Sequence, residues 1–363
     1  MQDAVRGGHP RPDGPVVAVD ASPAARSAPT GTERYALEVC RRLPGAAPEL
    51  RFVLYASRPG DVDGVDLTVL PGRRPWSQGR LARELWRRRP DLFFAPAHVV
   101  PFLAPGLTLT VVHDLAFERY PDLYGRSQLG YLRLTTRWAE LRCPRLLAVS
   151  EATARDLADL HGVDPRRVSV VPLGGGEPAL PLDPAAAARR VAALGVEGPY
   201  VLQVGRVEPR KNQVTTLRAV ERLPDLLLVA AGSVLDSAAG ATLAASRRCR
   251  LLGRVDSADL EALYACAEAL VVPSRYEGFG LPVLEGLRRG VPVVAAAVSS
   301  LPEVAGDAAV YVDDPLDAGG LAAAIEQAVG CRERLRVLGP QRASLFTWDR
   351  TAAGVAAVIR ELL

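Results

Sequence analysis

At 363 residues the chain is long enough for two domains of ordinary size, each with its own core. Hydrophobic residues at 48% and charged residues at 23% describe a globular chain rather than a disordered one. A net charge of +3 argues against a dedicated nucleic-acid binder.

Residues 1–14 are polar, with Gly, Pro and Arg but no apolar stretch, and read as a frayed tail rather than a secretion signal. Beyond them, short apolar runs alternate with longer helical patterns, the signature of parallel strands joined by helices. Strands are expected at 16–19, 52–55, 67–70, 92–94, 107–112, 146–149 and 168–171, with helices such as 32–43, 127–141 and 151–161 between them. An Asp-Val-Asp at 61–63 lies in a Gly-rich turn and reads as a solvated loop rather than a metal site. The densest basic cluster, Trp86-Arg87-Arg88-Arg89-Pro90, reads as a solvated helix end; contact with a membrane surface or an acidic substrate is the alternative. The stretches 76–89 and 95–105 read as loops that match nothing diagnostic.

The segment around 173–198, dense in Gly and Pro, marks a linker. The second half repeats the theme, with strands at 200–204, 226–230, 251–252, 269–272, 291–295 and 309–312, and helices at 212–222, 257–266, 281–289 and 315–330. The expected architecture is therefore α/β: two doubly wound, Rossmann-like domains at 15–175 and 199–348, a linker at 176–198, and a C-terminal helix at 349–363. Such sheets bind ligands beyond the carboxyl ends of their strands, which points to the cleft between the domains. Five cysteines lie far apart with no CxxC pair, which argues against zinc and a disulfide framework and suits a reducing, cytoplasmic location. No apolar run approaches the ~18 residues a membrane span needs.

Two stretches carry chemistry. Of the 44 Lys and Arg residues, Lys211 is the one lysine, and the one asparagine, Asn212, follows it. Gly205 and Arg206 close the strand at 200–204, and Lys211 opens the next helix, whose free N–H groups favour an anion. Two cations beside a helix N-terminus suit a diphosphate, although an ordinary surface lysine would look the same alone. The second stretch is Pro273 to Val312, containing Tyr276-Glu277-Gly278-Phe279-Gly280-Leu281. Gly278 and Gly280 let backbone N–H groups approach a ligand, and Pro282 suits a first helical turn. Glu277 in the loop and Glu285 in the otherwise apolar helix are placed to face one cleft, where two carboxylates suit the paired hydroxyls of a sugar and a ribose.

Together, E-G-F-G-L-P-x-x-E with an upstream G-R-x-x-x-x-K resembles the retaining nucleotide-sugar glycosyltransferases of family 4, with the GT-B fold. The N-terminal segments VAVDASPAARSAPTGTERYALEV, VVHDLAFERYPDLY and AVSEATARDLADLHGVDPRRVSVVPLG resemble that family's opening unit, its His-Asp segment and its last unit before the linker. The resemblance implies that Arg206 and Lys211, with Gly205 beside them, bind the donor diphosphate. It implies that Glu277, helped by the amides of Gly278, Phe279, Gly280 and Leu281, holds the transferred sugar, and that Glu285 takes the ribose. On the facing domain Gly31 would lie near the phosphates, His113 would reach the reacting centre, Asp114 and His98 would lie on the acceptor side, and the C-terminal helix at 349–363 would cross back to that domain, as in relatives.

The family also implies retention of configuration, with two cations stabilising the leaving diphosphate and no metal or other cofactor required. Mannosyl transfer from GDP-mannose to a hydroxyl-bearing acceptor is the favoured donor chemistry, and the arginine-for-lysine bias suits a bacterial protein. A UDP- or dTDP-sugar transferase, another GT-B enzyme such as an epimerase, and a non-catalytic partner subunit are the alternatives. Two departures stand out. Glu33 replaces the family's second glycine in the loop at 31–35, which is expected to narrow the site. Leu173-Gly174-Gly175-Gly176 replaces an Asn-Gly-Val and is expected to give a looser connection.

Overall fold

The computed structural model describes residues 14–25, 30–59, 66–72, 76–97, 99–175 and 182–363. The expected tail up to residue 13, the turn at 61–63, His98 and the linker residues 176–181 lie outside the described residues.

Seven strands form the first sheet: β1 (Val16–Asp20), β2 (Arg51–Ala56), β3 (Leu67–Val69), β4 (Leu92–Ala95), β5 (Leu107–Val112), β6 (Arg145–Ala148) and β7 (Val168–Val170). All pair in parallel, in the order β3-β2-β1-β4-β5-β6-β7. The second sheet holds β8 (Tyr200–Val204), β9 (Leu227–Ala231), β10 (Cys249–Gly253), β11 (Ala269–Val272), β12 (Val293–Ala296) and β13 (Ala309–Val312), again all parallel, in the order β10-β9-β8-β11-β12-β13. Central strands such as Leu-Phe-Phe-Ala of β4 and Ala-Leu-Val-Val of β11 are buried throughout, because helices cover both faces.

In the first domain those helices are α1 (Gly31–Ala46), α2 (Ala82–Arg88), α3 (Ala116–Arg119), α4 (Arg126–Arg142) and α5 (Glu151–His161). In the second they are α6 (Pro184–Ala193), α7 (Gln213–Val220), α8 (Ser237–Ala245), α9 (Ser257–Cys266), α10 (Leu281–Arg288), α11 (Leu301–Ala305), α12 (Ala318–Gly330) and α13 (Arg332–Ala343). The chain ends in α14 (Trp348–Leu362). None of the described helices is long and apolar enough to cross a membrane.

Three local readings change. The stretch 76–89 is not a loop: a wide turn at Ser77–Leu81 runs directly into α2. There the basic run ends the helix, with Arg87 and Arg88 paired to Glu84 and Arg89 stacked over the Trp86 ring at 4.6 Å. The latter part of the linker is helical, since Asp183 accepts the Ala186 N–H at 2.9 Å and Pro184 takes the first helical position. Ala187 and Val191 of α6 are buried, and Arg190 pairs with Asp259 of α9 at 2.8 Å, so α6 belongs to the second domain's outer layer. The glycines after β7 are tightly packed rather than loose: a Cβ on Gly174 would lie 2.2 Å from the Trp348 nitrogen.

That contact marks where the chain returns. Helix α14 packs on α1 of the first domain, held by Arg42–Asp349 (2.9 Å), Arg360–Glu49 (2.6 Å) and the Thr351 hydroxyl donating to the Pro172 carbonyl (2.8 Å).

Candidate active site

In each sheet the strand order reverses direction beside the first strand of its domain, between β1 and β4 and between β8 and β11. Loops leaving the carboxyl ends of strands at such a switch point splay apart and leave a crevice. The loop Gly205–Asn212 follows β8 and the loop Pro273–Gly280 follows β11, so both motif stretches border one crevice. Gly205 has φ 136°, a conformation open to glycine, and the Lys211 stem passes within 3.7 Å of where a Cβ would stand.

Asn212 explains its own presence. It caps α7 with φ 60°, a left-handed conformation that asparagine tolerates better than most residues. Its amide donates to the carbonyls of Pro273 (3.1 Å) and Pro315, and its oxygen accepts from Thr215. The two loops are thereby pinned to one another, and Lys211 is aimed at the second.

Lys211 Nζ lies 2.5 Å from Glu277 Oε1, which also accepts from the Ser274 hydroxyl at 2.6 Å. Glu277 Oε2 faces Arg210 at 3.2 Å. Burial by itself raises the Glu277 pKa, but the Lys211 and Arg210 cations outweigh it and hold the carboxyl down at about 2. The loop backbone is fixed as well: the Glu277 N–H donates to the Ser299 hydroxyl (2.9 Å) and the Ser300 hydroxyl donates to the Glu277 carbonyl (3.0 Å). Arg206 is exposed at the mouth of the crevice, its carbonyl anchored by the Gln213 side chain at 2.8 Å. Gly280, at φ 102°, caps α10, and Leu281 begins that helix.

Glu285 lies in the second turn of α10 and is engaged from both domains. Arg34 of α1 donates to its Oε1 at 2.6 Å, and the Tyr264 hydroxyl donates to its Oε2 at 3.0 Å. Glu277 and Glu285 therefore belong to separate ion-paired groups along one wall, one toward Lys211 and one toward Arg34.

The facing wall comes from the first domain. His113 follows β5, and its Nε2 donates to the Pro96 carbonyl at 2.8 Å. Since a carbonyl can only accept, Nε2 carries a proton. The ring sits edge-on to Tyr35 at 5.0 Å. Asp114 accepts the Ala116 N–H at 3.0 Å, opening α3. Gly31 begins α1, and a Cβ there would stand 3.1 Å from Leu281. Glu33 turns back to accept the Thr30 N–H at 2.7 Å, so it caps α1 rather than narrowing the crevice.

The domains meet directly at the glycine loop. The Gly278 carbonyl accepts from the Ser150 hydroxyl at 2.6 Å, and a Cβ on Gly278 would lie 1.9 Å from the His113 carbonyl oxygen. Tyr276 donates to Asp156 at 2.6 Å, and burial raises its phenol pKa well above the ordinary value. Phe279 stacks edge-on with Phe346 at 5.8 Å, just before the chain crosses back. Arg34, Arg210, Tyr264 and Ser274 went unassigned in the sequence. Arg210 sits beside Lys211 and could have been noticed; for the Arg34–Glu285 contact no local pattern exists.

Residues 29–174 match the model described as Glycosyltransferase Family 4, and residues 186–343 match that for Glycosyl transferases group 1. The chain is 32% identical to O-antigen chain mannosyltransferase B of Escherichia coli, over 66% of this chain and 67% of that protein. It is also 32% identical to the D-inositol 3-phosphate glycosyltransferase of Mycobacterium tuberculosis, over 60% of this chain, and spans about half (49%) of that relative's length. Anabaena HepE, solved in complex with UDP-glucose, superposes with a TM-score of 0.74 at 18% identity, covering 96% of this chain and 99% of that one. The chain belongs to glycosyltransferase family 4 and has the two-domain GT-B fold.

Proposed function

We propose that the protein transfers a hexosyl group, with mannosyl favoured, from a nucleotide-diphosphate sugar to a hydroxyl acceptor, with retention of configuration and without a metal ion. One observation carries the reading: Lys211 and Glu277 face each other at 2.5 Å beside the switch point of the second sheet. A cation for the diphosphate and a carboxylate for the sugar hydroxyls thus stand side by side. The E. coli mannosyltransferase relative favours a mannosyl donor. The likeness to a structure that holds UDP-glucose keeps a UDP-sugar as the second reading.

The chemistry follows from charge. As the anomeric C–O bond breaks, the diphosphate gains negative charge, and Arg206 and Lys211 stabilise it where it forms. Glu277 accepts hydrogen bonds from the sugar hydroxyls, and Glu285 accepts those of the ribose. His113 contacts a sugar hydroxyl near the reacting centre. Asp114 orients the acceptor. Glu277 is poorly suited to covalent attack, because its two oxygens already face Lys211, Ser274 and Arg210 and its basicity is low. Departure and attack on one face of the sugar is therefore the preferred route to retention. The five unpaired cysteines support a reducing compartment for the reaction.

Release of nucleoside diphosphate tests the reading, with GDP-mannose, UDP-glucose and dTDP-glucose as donors, glycan and lipid-linked hydroxyl acceptors, and EDTA throughout. Acceptor-dependent release with one donor is expected, and Lys211→Ala should lower it by roughly 10²–10³-fold. Acceptor-free conversion of the nucleotide sugar to an epimer would replace the transferase by an epimerase. A covalent role for Glu277 would reveal itself as azide rescue of Glu277→Ala.

A further inference from the structure

Arg210 is more deeply held than either cation assigned to the donor. One terminal nitrogen donates to the Tyr276 carbonyl at 2.7 Å and to Glu277 Oε2 at 3.2 Å; the other pairs with Glu208 at 2.7 Å. Its side chain is 13% exposed, and its backbone carbonyl accepts the Arg275 N–H at 2.8 Å. Three directions of the guanidinium plane are thereby fixed, and swinging it out would strand Glu208, Glu277 and a carbonyl together. Lys211 differs: among the described residues its ammonium meets Glu277 Oε1, at the end of a flexible stem.

We infer that Arg210 is a positioning residue that keeps Glu277 ionised and oriented toward the sugar hydroxyls while Lys211 turns to the donor diphosphate. The inference rests on the donor-site reading above. With the donor in place both cations assigned to Glu277 cannot stay wholly devoted to it, because the diphosphate draws on the same ammonium. Arg210 remains on Oε2, and Ser274 remains on Oε1. Burial raises the pKa of Glu277 and the two cations lower it, so a carboxylate deprived of Arg210 titrates upward once the diphosphate shares Lys211. The other ionisable groups that face Arg210 are Glu208, Asp114 and Tyr124, and His113 adjoins Asp114. Removing Arg210 takes a cation from these groups as well, so the effect that isolates Glu277 is one seen with the nucleotide sugar and not with the nucleoside diphosphate.

Titration calorimetry with GDP and GDP-mannose (and, in parallel, UDP and UDP-glucose) at pH 7.5 and 5.5 tests this. The proteins compared are wild type, Arg210→Gln, Arg210→Lys and Lys211→Ala. In Arg210→Gln the nucleoside diphosphate should bind as in wild type at both pH values. The nucleotide sugar should bind more weakly, by roughly tenfold more at pH 5.5 than at pH 7.5, while the wild type stays flat. Arg210→Lys restores a cation and should flatten the pH dependence again; it carries the test if Arg210→Gln melts below the assay temperature. Lys211→Ala should lose the diphosphate itself. Equal loss of GDP and GDP-mannose in Arg210→Gln would make Arg210 a phosphate ligand and overturn the inference, as would unchanged binding of both. Wild-type protein that binds none of the four ligands would defeat the donor-site reading itself, and the inference with it.

Discussion

Glu277 is a buried carboxylate with two cations on it, and each side of that arrangement can be tested. Glu277→Gln leaves Lys211 and Arg210, 14% and 13% exposed, facing a neutral amide. Removing one partner of a buried pair typically costs about 3–5 kcal/mol, which urea unfolding at pH 7 would read directly. The pKa of Glu277 is depressed in the folded state, so its contribution is present above the ordinary carboxylate value of 4.5 and is lost as pH falls toward about 2. Acid unfolding of Glu277→Gln should accordingly be shallower than that of wild type between pH 4.5 and 2. A lone lysine and a pair of glycines made Lys211 and the Glu277 loop legible in the sequence. Arg210 was marked only by its place beside Lys211, because its residue type carries no signal in a chain that uses arginine for nearly every base. The Arg34–Glu285 contact joins positions 251 residues apart, and nothing local encodes it.

The elements that build the site are two short loops leaving parallel strands, and their glycines answer to specific neighbours. Gly278 is the tightest point, with the His113 carbonyl where its Cβ would be. Gly278→Ala must push the loop from the first domain. The expected loss is about 1–3 kcal/mol of stability, with donor turnover lowered disproportionately because Glu277 moves with the loop. A variant with wild-type melting and wild-type turnover would contradict the contact. Strands were the most legible elements, since a parallel strand covered on both faces is a short, unbroken apolar run, and β5, β8, β11 and β13 have the limits that pattern predicts. Helix α6 was hidden by the prolines and glycines around it, although Asp183 and Pro184 form a normal helix start. The wide turn before α2 was missed because its Ser, Gln, Gly and Arg residues form no apolar stripe.

At the scale of the molecule the ties between the two domains among the described residues include α14 against α1, Gly278 against Ser150 and His113, Arg34 against Glu285, and Tyr276 against Asp156. The third tie uses the carboxylate assigned to the ribose. Arg34→Ala should therefore leave nucleoside diphosphate affinity unchanged or tighter, with global stability lowered by only about 1 kcal/mol, since Arg34 is 33% exposed. Glu285→Gln should weaken the nucleotide by roughly tenfold, a hydrogen-bonded charge lost. Weaker binding in Arg34→Ala would instead make Arg34 a donor ligand. Two α/β domains and the position of the crevice follow from the alternation of runs and from switch-point topology. The contacts that close the crevice depend on how the domains meet, which no single stretch of chain records.

The central claim is that Lys211 holds a nucleotide-sugar diphosphate without a metal ion. Thermal unfolding of wild type and Lys211→Ala, with GDP-mannose, UDP-glucose, UDP-N-acetylglucosamine and dTDP-glucose, with and without EDTA, addresses it most directly. A ligand at a hundred times its dissociation constant adds about 2.7 kcal/mol, a shift of several degrees. The account predicts that one nucleotide sugar raises the wild-type melting temperature, that EDTA leaves the shift intact, and that Lys211→Ala abolishes it. A shift that survives in Lys211→Ala, or one that disappears with EDTA, would contradict the account.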